Sequence, residues 1–165
     1  MASHSSFAEL VSVMARLRAP DGCPWDREQT HQSLKPFLLE EAYEVLEAID
    51  EAEDGELCSE LGDVLLQVVF HAQVAVEGGR FTIDDVCQAI VDKLIRRHPH
   101  VFGNIDVASS DEVVENWEAI KKRERQSETG PAPSALDGVP RQLPALLRAQ
   151  RVQDKARRAG FDWQQ

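Results

Sequence analysis

The segment that most constrains the fold runs from Val64 to Val76, where 13 consecutive residues carry no formal charge. A helix needs about 20 apolar residues to cross a bilayer, so this run is too short to span one. It is also apolar on too many sides for an exposed helix. We therefore expect a buried helix from about Glu56 to Glu77, ending at Gly78-Gly79.

A second helix is expected directly before the buried one. Residues 36–51 place apolar side chains at helical spacing, and the first turn tolerates Pro36. Glu53-Asp54-Gly55 predicts a tight turn, so the two helices should form an antiparallel hairpin. Capping boxes and terminal Gly or Pro residues predict the other helices, at about 6–17, 82–97, 109–126 and 143–159. Because no segment alternates like a strand, the predicted fold class is all-α, a helical bundle with no significant β-sheet.

The chain length of 165 residues fits one domain. Within it, residues 1–126 are expected to form the catalytic helical core. Residues 127–135 are rich in Pro, Ser and Gly and predict a flexible connector. Residues 136–165 are expected to contribute a basic C-terminal helix.

The formal net charge of −11 narrows the range of ligands. Such a chain should repel nucleic acid and anionic membrane surfaces, so neither is an expected partner. A triphosphate would be repelled too, unless a divalent cation lies between it and the protein carboxylates. Three widely spaced cysteines without a C-x-x-C pair, and the lack of a leader pattern, favour a cytoplasmic location.

Two acid pairs on the predicted hairpin are the candidate metal ligands. Glu41 and Glu44 lie on one face of the first helix, and Glu60 and Asp63 share a face of the second. Counting outward from the turn places the pairs at similar heights, so they should face each other. Oxygen ligands of this kind select a hard cation, Mg²⁺ or alternatively Mn²⁺.

A solvated acidic face is the alternative interpretation of these acids. The acidic stripe on the first helix continues to Glu47 and Glu51, which fits that alternative. Glu60 and Asp63 instead open the helix that we expect to be buried, where unpaired carboxylates are costly. A di-iron site is less favoured, because it requires E-x-x-H on two helices and only Glu28 to His31 fits.

Basic and aromatic residues could bind a phosphorylated ligand. Lys93, Arg96 and Arg97 share a sector near the end of the 82–97 helix, where they could equally complement the helix C-terminus. Trp117 and Lys121, spaced i and i+4, combine an aromatic plate with a cation, and Trp25 is expected in a loop. Each tryptophan could alternatively be a core residue.

Together these residues resemble the MazG family of nucleoside triphosphate pyrophosphohydrolases. The motifs are Gly22-Cys23-Pro24-Trp25-Asp26, Leu39-Glu40-Glu41-Ala42-Tyr43-Glu44, Glu60-Leu61-Gly62-Asp63, Arg96-Arg97-His98-Pro99-His100-Val101-Phe102, Trp117-Glu118-x-Ile120-Lys121 and Gly160-Phe161-Asp162-Trp163. The resemblance implies a four-helix metal-binding core, a homodimer or higher oligomer, and hydrolysis of NTPs or dNTPs to monophosphate and pyrophosphate in nucleotide-pool house-cleaning. Many members carry two such domains in tandem, and this chain is similar to the N-terminal one.

The resemblance also implies residue roles. The metal ligands would be Glu41, Glu44, Glu60 and Asp63; the catalytic acids would be Glu40 and Glu41; and the substrate contacts would be Lys93, Arg97, Trp117, Lys121 and Trp25. Two alternatives stay open: a catalytically weak regulatory or assembly module, and a related all-α pyrophosphatase acting on dUTP, dCTP or a phosphoribosyl nucleotide.

Overall fold

The computed structural model describes residues 6–127, 134 and 136–161. These residues form helices and connecting segments without a strand, so the predicted all-α class is confirmed. The helices are α1 Ser6–Leu17, α2 Pro24–Glu28, α3 Lys35–Glu51, α4 Asp54–Glu77, α5 Ile83–Arg97, α6 Pro99–Phe102, α7 Ser110–Ser127 and α8 Ala145–Arg158.

The bounds of the longer helices agree with the sequence predictions because their ends carry recognisable signals. At the start of α5, the Thr82 backbone N–H donates to Asp85, and the Asp85 N–H donates to the Thr82 hydroxyl, forming a reciprocal capping box. Two local details differ from the predictions. Trp25 lies in the short helix α2 rather than in a loop, because Pro24 suits a first helical position. The hairpin turn is also shorter, since Asp54 and Gly55 already belong to α4.

The chain divides into two compact units, residues 1–94 and 95–165, and the division falls within α5. The predicted organisation as one domain with a connector at 127–135 stays a prediction. Residues 128–133 and 135 of that connector lie outside the described residues.

In the first unit, α4 packs against both α3 and α1. The core centres on Met14 of α1, Leu34 before α3, and Val69 and Phe70 of α4, all at most 3% exposed. Partly buried apolar side chains surround them, namely Phe7, Leu10, Val11, Leu17, Phe37, Leu66, Val74 and Ile83. The second half of α4 is therefore the helix around which the unit is built.

The expectation of a buried helix holds for only one side of α4. One side is buried and includes Gln67 and Phe70. The other side exposes apolar residues at helical spacing, Leu61, Leu65 and Val68, each at least 36% exposed. The uncharged run therefore includes apolar surface that the described residues leave exposed.

A buried arginine ties α1, α2 and α4 together. The Arg18 side chain is 5% exposed, and its guanidinium donates two hydrogen bonds of 2.6 and 2.7 Å to the Glu77 carboxylate. It also donates to the backbone carbonyls of Asp26 and Gln29, at the end of α2. Because a single planar fork holds these groups, α2 is fixed against the end of α4.

The turn between α1 and α2 requires glycine at position 22. The Gly22 N–H donates to the Ala19 carbonyl, and the Cys23 N–H donates to the Leu17 carbonyl, each at 2.7 Å. A Cβ atom at position 22 would lie 2.1 Å from the Leu17 carbonyl oxygen. Only glycine allows this close approach of two backbone segments.

The second unit contains α6, α7 and α8. Helix α8 ends as its Gly160 predicts: Gly160 adopts a positive φ of 84°, and the Phe161 N–H donates back to the Ala156 carbonyl at 2.9 Å. Among the described residues of the whole chain, no helix has the length and apolar content needed to span a membrane.

Candidate metal centre

The α3–α4 hairpin brings the two predicted acid pairs together. Ala52, in the left-handed conformation with φ of 57°, and Glu53 form the two-residue reversal between the helices. One carboxylate oxygen each of Glu41, Glu60 and Asp63 lies within 4.8 Å of the other two. These three side chains are half-buried and form one cluster of acids from α3 and α4.

Glu44 joins the cluster from a more exposed position. The charge of its carboxylate raises the pKa of both Glu41 and Glu60. The structure therefore brings all four predicted ligands together, although Glu44 is outside the tightest group of three.

The electrostatics of the cluster are unfavourable without a cation. Burial raises the pKa of Glu41 above its ordinary value, and the neighbouring charges of Asp63, Glu44 and Glu60 raise it further. Burial is also the main cause of the raised pKa of Glu60. Among the described ion pairs, none involves a cluster carboxylate, so nearby lysine or arginine does not neutralise them.

The chemistry and size of the cluster fit a small divalent cation. All donors are carboxylate oxygens, which suit hard cations. Mg²⁺ binds oxygens at about 2.0–2.1 Å, so opposite ligands lie about 4 Å apart. The observed separations of up to 4.8 Å need only a small contraction to reach that distance. Glu41, Glu44, Glu60 and Asp63 could therefore hold such an ion.

Glu40 occupies a different position from its neighbour. It is exposed on α3 and is not part of the group whose oxygens converge. A role in proton transfer would require a substrate or water to bridge Glu40 and the cluster.

Trp25 lies close to the helix that carries the first acid pair. Its ring is 51% exposed and meets Phe37 edge-on, with 5.7 Å between ring centroids. Phe37 precedes Glu41 by one turn of α3, and Glu44 follows on the same face. Trp25 therefore presents an accessible aromatic surface beside the N-terminal part of α3, where Phe37 lies one turn before Glu41.

The predicted phosphate contacts have different surroundings. Lys93 is exposed on α5, and no described ion pair involves it. Arg97 lies in the second unit, where its guanidinium donates to Glu124 at 2.6 and 3.2 Å. Arg96 donates to the other oxygen of the same carboxylate at 2.6 Å. These contacts lower the pKa of Glu124 to about 2, mainly through its hydrogen bonds with the two arginines.

Trp117 and Lys121 are neighbours on α7, as their spacing predicts. The Lys121 ammonium lies 5.4 Å from the centroid of the Trp117 ring and also pairs with Glu118 at 3.0 Å. His98 meets the same ring edge-on at 5.0 Å, and the indole N–H is buried without a described hydrogen-bond partner. Trp117 is thus partly enclosed within its own unit, which leaves less of its ring accessible than that of Trp25.

The sequence did not single out Glu124. Its signal was faint: Glu124 follows Trp117 and Lys121 by seven and three residues, so the three share one face of α7. Nothing in the sequence shows that this face meets the arginines at the end of α5.

Known proteins resemble this chain over most of its length. The family profile described as the MazG nucleotide pyrophosphohydrolase domain matches residues 29–102, which include the whole acid cluster. The nucleoside triphosphate pyrophosphohydrolase/pyrophosphatase MazG of Thermotoga maritima is 53% identical over 95% of this chain and 59% of its own length. The nucleoside triphosphate pyrophosphohydrolase of Escherichia coli K12 is also 53% identical, over 93% of this chain and 58% of its own length.

A solved fold agrees with these matches. The crystal structure of a mazG-related protein from Thermotoga maritima superposes with a TM-score of 0.58 at 27% identity, over 69% of this chain and 97% of that one. This chain spans less than two thirds of the length of the two curated relatives. The profile match over residues 29–102, the two relatives and the shared all-α fold together identify a MazG domain in this chain.

Proposed function

We propose that this chain is a Mg²⁺-dependent nucleoside triphosphate pyrophosphohydrolase, which cleaves NTPs or dNTPs between the α and β phosphates. The main support is the convergence of the acids on α3 and α4, with no described ion pair to neutralise them. The curated relatives from Thermotoga maritima and Escherichia coli bear names that state this activity. A cytoplasmic role in nucleotide-pool house-cleaning is part of the same proposal.

In the proposed mechanism, the two acid pairs bind the metal and the neighbouring Glu40 acts on the attacking water. Glu41, Glu44, Glu60 and Asp63 would hold the cation, which would supply Lewis acidity to the phosphate and to the attacking water. Glu40, exposed next to the cluster, accepts a proton from the attacking water. In this scheme the protein acids never face the triphosphate directly, which answers the repulsion expected from the net charge of −11.

The proposed substrate contacts bind the two ends of the nucleotide. Lys93 and Arg97 offset charge that develops on the pyrophosphate leaving group. Trp25 stacks on the nucleobase, since its ring is exposed and adjoins the helix of the first acid pair. Trp117 and Lys121 remain proposed contacts for base and phosphate, although the enclosure of Trp117 gives it less free surface.

Product analysis tests the proposed reaction. The chain is incubated with a panel of NTPs and dNTPs and with Mg²⁺, and the products are separated by chromatography. We expect nucleoside monophosphate and pyrophosphate in equal amounts. Nucleoside diphosphate with orthophosphate would show that a different bond is cleaved and would refute the assignment.

We further propose that the chain assembles as a homodimer or higher homo-oligomer. Helix α3, like α4, exposes apolar side chains at helical spacing: Leu39, Tyr43 and Leu46 are each about half exposed. A second copy would cover such a stripe, as large contiguous apolar patches are uncommon on monomers. Light scattering should give at least twice the chain mass of 18.5 kDa, and Leu46→Glu should shift the population toward monomer.

A further inference from the structure

Two consecutive arginines at the end of α5 close on one carboxylate of α7. Glu124 accepts a hydrogen bond from Arg96 on one oxygen and two from Arg97 on the other. Distances of 2.6, 2.6 and 3.2 Å give strong, charge-assisted contacts. We name this trio, Arg96, Arg97 and Glu124, the arginine clasp.

The clasp has the geometry that recognises phosphate. Both donating N–H groups of Arg97 converge on one oxygen of Glu124, and Arg96 donates to the other oxygen. A phosphoryl oxygen is an anionic acceptor that can take hydrogen bonds from guanidinium N–H groups in the same way. Glu124 therefore occupies the place at Arg97 that a phosphate oxygen would take. The hydrogen bonds from the two arginines lower the pKa of Glu124 to about 2, so the carboxylate is charged at physiological pH.

The side chains of the arginine clasp are also partly exposed to solvent, so another anion can reach them. The Glu124 side chain is 23% exposed, Arg97 is 25% exposed and Arg96 is 54% exposed. Water and a charged ligand can reach these partly exposed side chains. A pyrophosphate group carries more negative charge than one carboxylate, so it can compete with Glu124 for the hydrogen bonds of Arg96 and Arg97.

We propose that Glu124 is an internal competitor of phosphate: it holds Arg96 and Arg97 in place until a phosphate-bearing ligand displaces it. This inference rests on the proposed function in one respect, the role of Arg97 as a phosphate contact. Glu124 is then a residue that sets affinity for the polyphosphate part of the substrate and does not take part in the chemistry. Its presence weakens binding and favours release of pyrophosphate.

Binding of inorganic pyrophosphate in the presence of EDTA tests the proposal without the metal centre or turnover. Calorimetric titrations compare the wild-type chain with Glu124→Gln, which keeps the size of the side chain and removes its charge. We expect Glu124→Gln to bind pyrophosphate about two- to fivefold more tightly, the range expected when a partly exposed ion pair no longer competes. The gain should disappear in the double variant Glu124→Gln/Arg97→Ala.

A matched control separates the clasp from a general loss of negative charge. Asp154→Asn removes another carboxylate of the same unit, one that pairs with Arg157 at 3.4 Å, and should leave pyrophosphate affinity unchanged. Unchanged or weaker binding by Glu124→Gln would overturn the proposal, as would an equal gain in Asp154→Asn. If Glu124→Gln does not fold, as judged by circular dichroism, Glu124→Asp replaces it, and its shorter reach should give a smaller gain in affinity.

Kinetics then distinguish this inference from the proposed function. Under Mg²⁺, Glu124→Gln should lower KM for an NTP by a similar factor while kcat stays the same or falls through slower pyrophosphate release. A raised KM would mean that Glu124 only positions Arg97 and would overturn the competitor role. Absence of hydrolysis by the wild-type chain would refute the proposed function, and the titrations in EDTA would still decide the role of Glu124.

Discussion

At the scale of single residues, Glu41 shows how burial and neighbouring carboxylates disfavour the charged form of an acid in the cluster. Its pKa is raised by burial and by three neighbouring carboxylates. When the pKa of a carboxyl group is higher in the folded than in the unfolded state, the protein loses stability as the pH rises from the unfolded-state pKa through the folded-state pKa. The metal-free protein is therefore destabilised by this group at neutral pH, and a bound cation relieves the cost.

The first prediction follows from that conflict. In EDTA, Glu41→Gln should raise Tm relative to the wild-type chain, because one repelling charge is gone. Addition of Mg²⁺ should raise the wild-type Tm and have little effect on the variant, and activity should fall about 100-fold or more. Differential scanning fluorimetry and pyrophosphate release measure these effects. Glu47→Gln, an exposed acid on the same helix, is the control; a Glu41→Gln variant with full activity would contradict the account.

A second prediction concerns Trp25. Removing the ring with Trp25→Ala should raise KM about tenfold with little change in kcat, because base stacking contributes about 1–3 kcal/mol per base. Trp25→Phe, which keeps an aromatic face, should recover most of the affinity. Steady-state kinetics on a ribonucleotide series would measure both, and an unchanged KM in Trp25→Ala would leave Trp117 as the better stacking candidate.

At the scale of elements, the turn between α3 and α4 sets the register of the acid pairs. Ala52 adopts a φ of 57°, a left-handed conformation that costs a residue with a Cβ about 1–2 kcal/mol and glycine very little. Ala52→Gly should therefore raise the free energy of unfolding by up to about 1 kcal/mol, after allowance for the greater freedom of glycine in the unfolded chain. Urea denaturation measures the change. A clear loss of stability would mean that the turn is not strained.

A pair of histidines joins two elements: His31 lies between α2 and α3, and His71 lies on α4. His31 and His71 stack with ring centroids 5.0 Å apart, and their Nδ1 atoms lie 2.7 Å apart. Arg80 lies 2.6 Å from His31 Nε2 and can only donate, so His31 accepts there and its Nδ1–H donates to His71. Burial, with a smaller contribution from the nearby His31, lowers the pKa of His71.

A pH dependence of stability follows from these histidines. Below about pH 6.5 the unfolded chain takes up a proton at position 71, whereas the folded chain resists until a lower pH. The unfolded state then binds more protons, so the free energy of unfolding should fall as pH drops from 7.5 to 5.5. His71→Asn should reduce this slope. Urea midpoints across that range measure it, and equal slopes in the two proteins would contradict the proposed coupling.

At the scale of the whole molecule, the sequence predicted the helices and the acid cluster for the same reason: both depend on local spacing. Capping boxes, terminal glycines and i,i+3 pairs act within one or two helical turns, so they can be read from neighbouring residues. The hairpin then places Glu41 opposite Glu60 and Asp63 because its turn is short.

The features that the sequence did not predict depend on contacts between distant segments. The Arg18–Glu77 pair joins residues 59 positions apart, and the arginine clasp joins Arg97 to a residue 27 positions later. No local pattern selects one acid among many as the partner of a given arginine. The exposed side of α4 is a related case, since an uncharged helix can be covered by its own chain or by another copy.

The central claim is that the four acids of the α3–α4 hairpin bind the catalytic cation, and metal binding tests it most directly. Isothermal titration with Mg²⁺ compares the wild-type chain with Asp63→Asn and with the control Glu47→Gln. We predict saturable binding by the wild-type and control chains and affinity at least about tenfold weaker in Asp63→Asn. Equal affinity in the wild-type chain and Asp63→Asn would show that the cation binds elsewhere and would contradict the account.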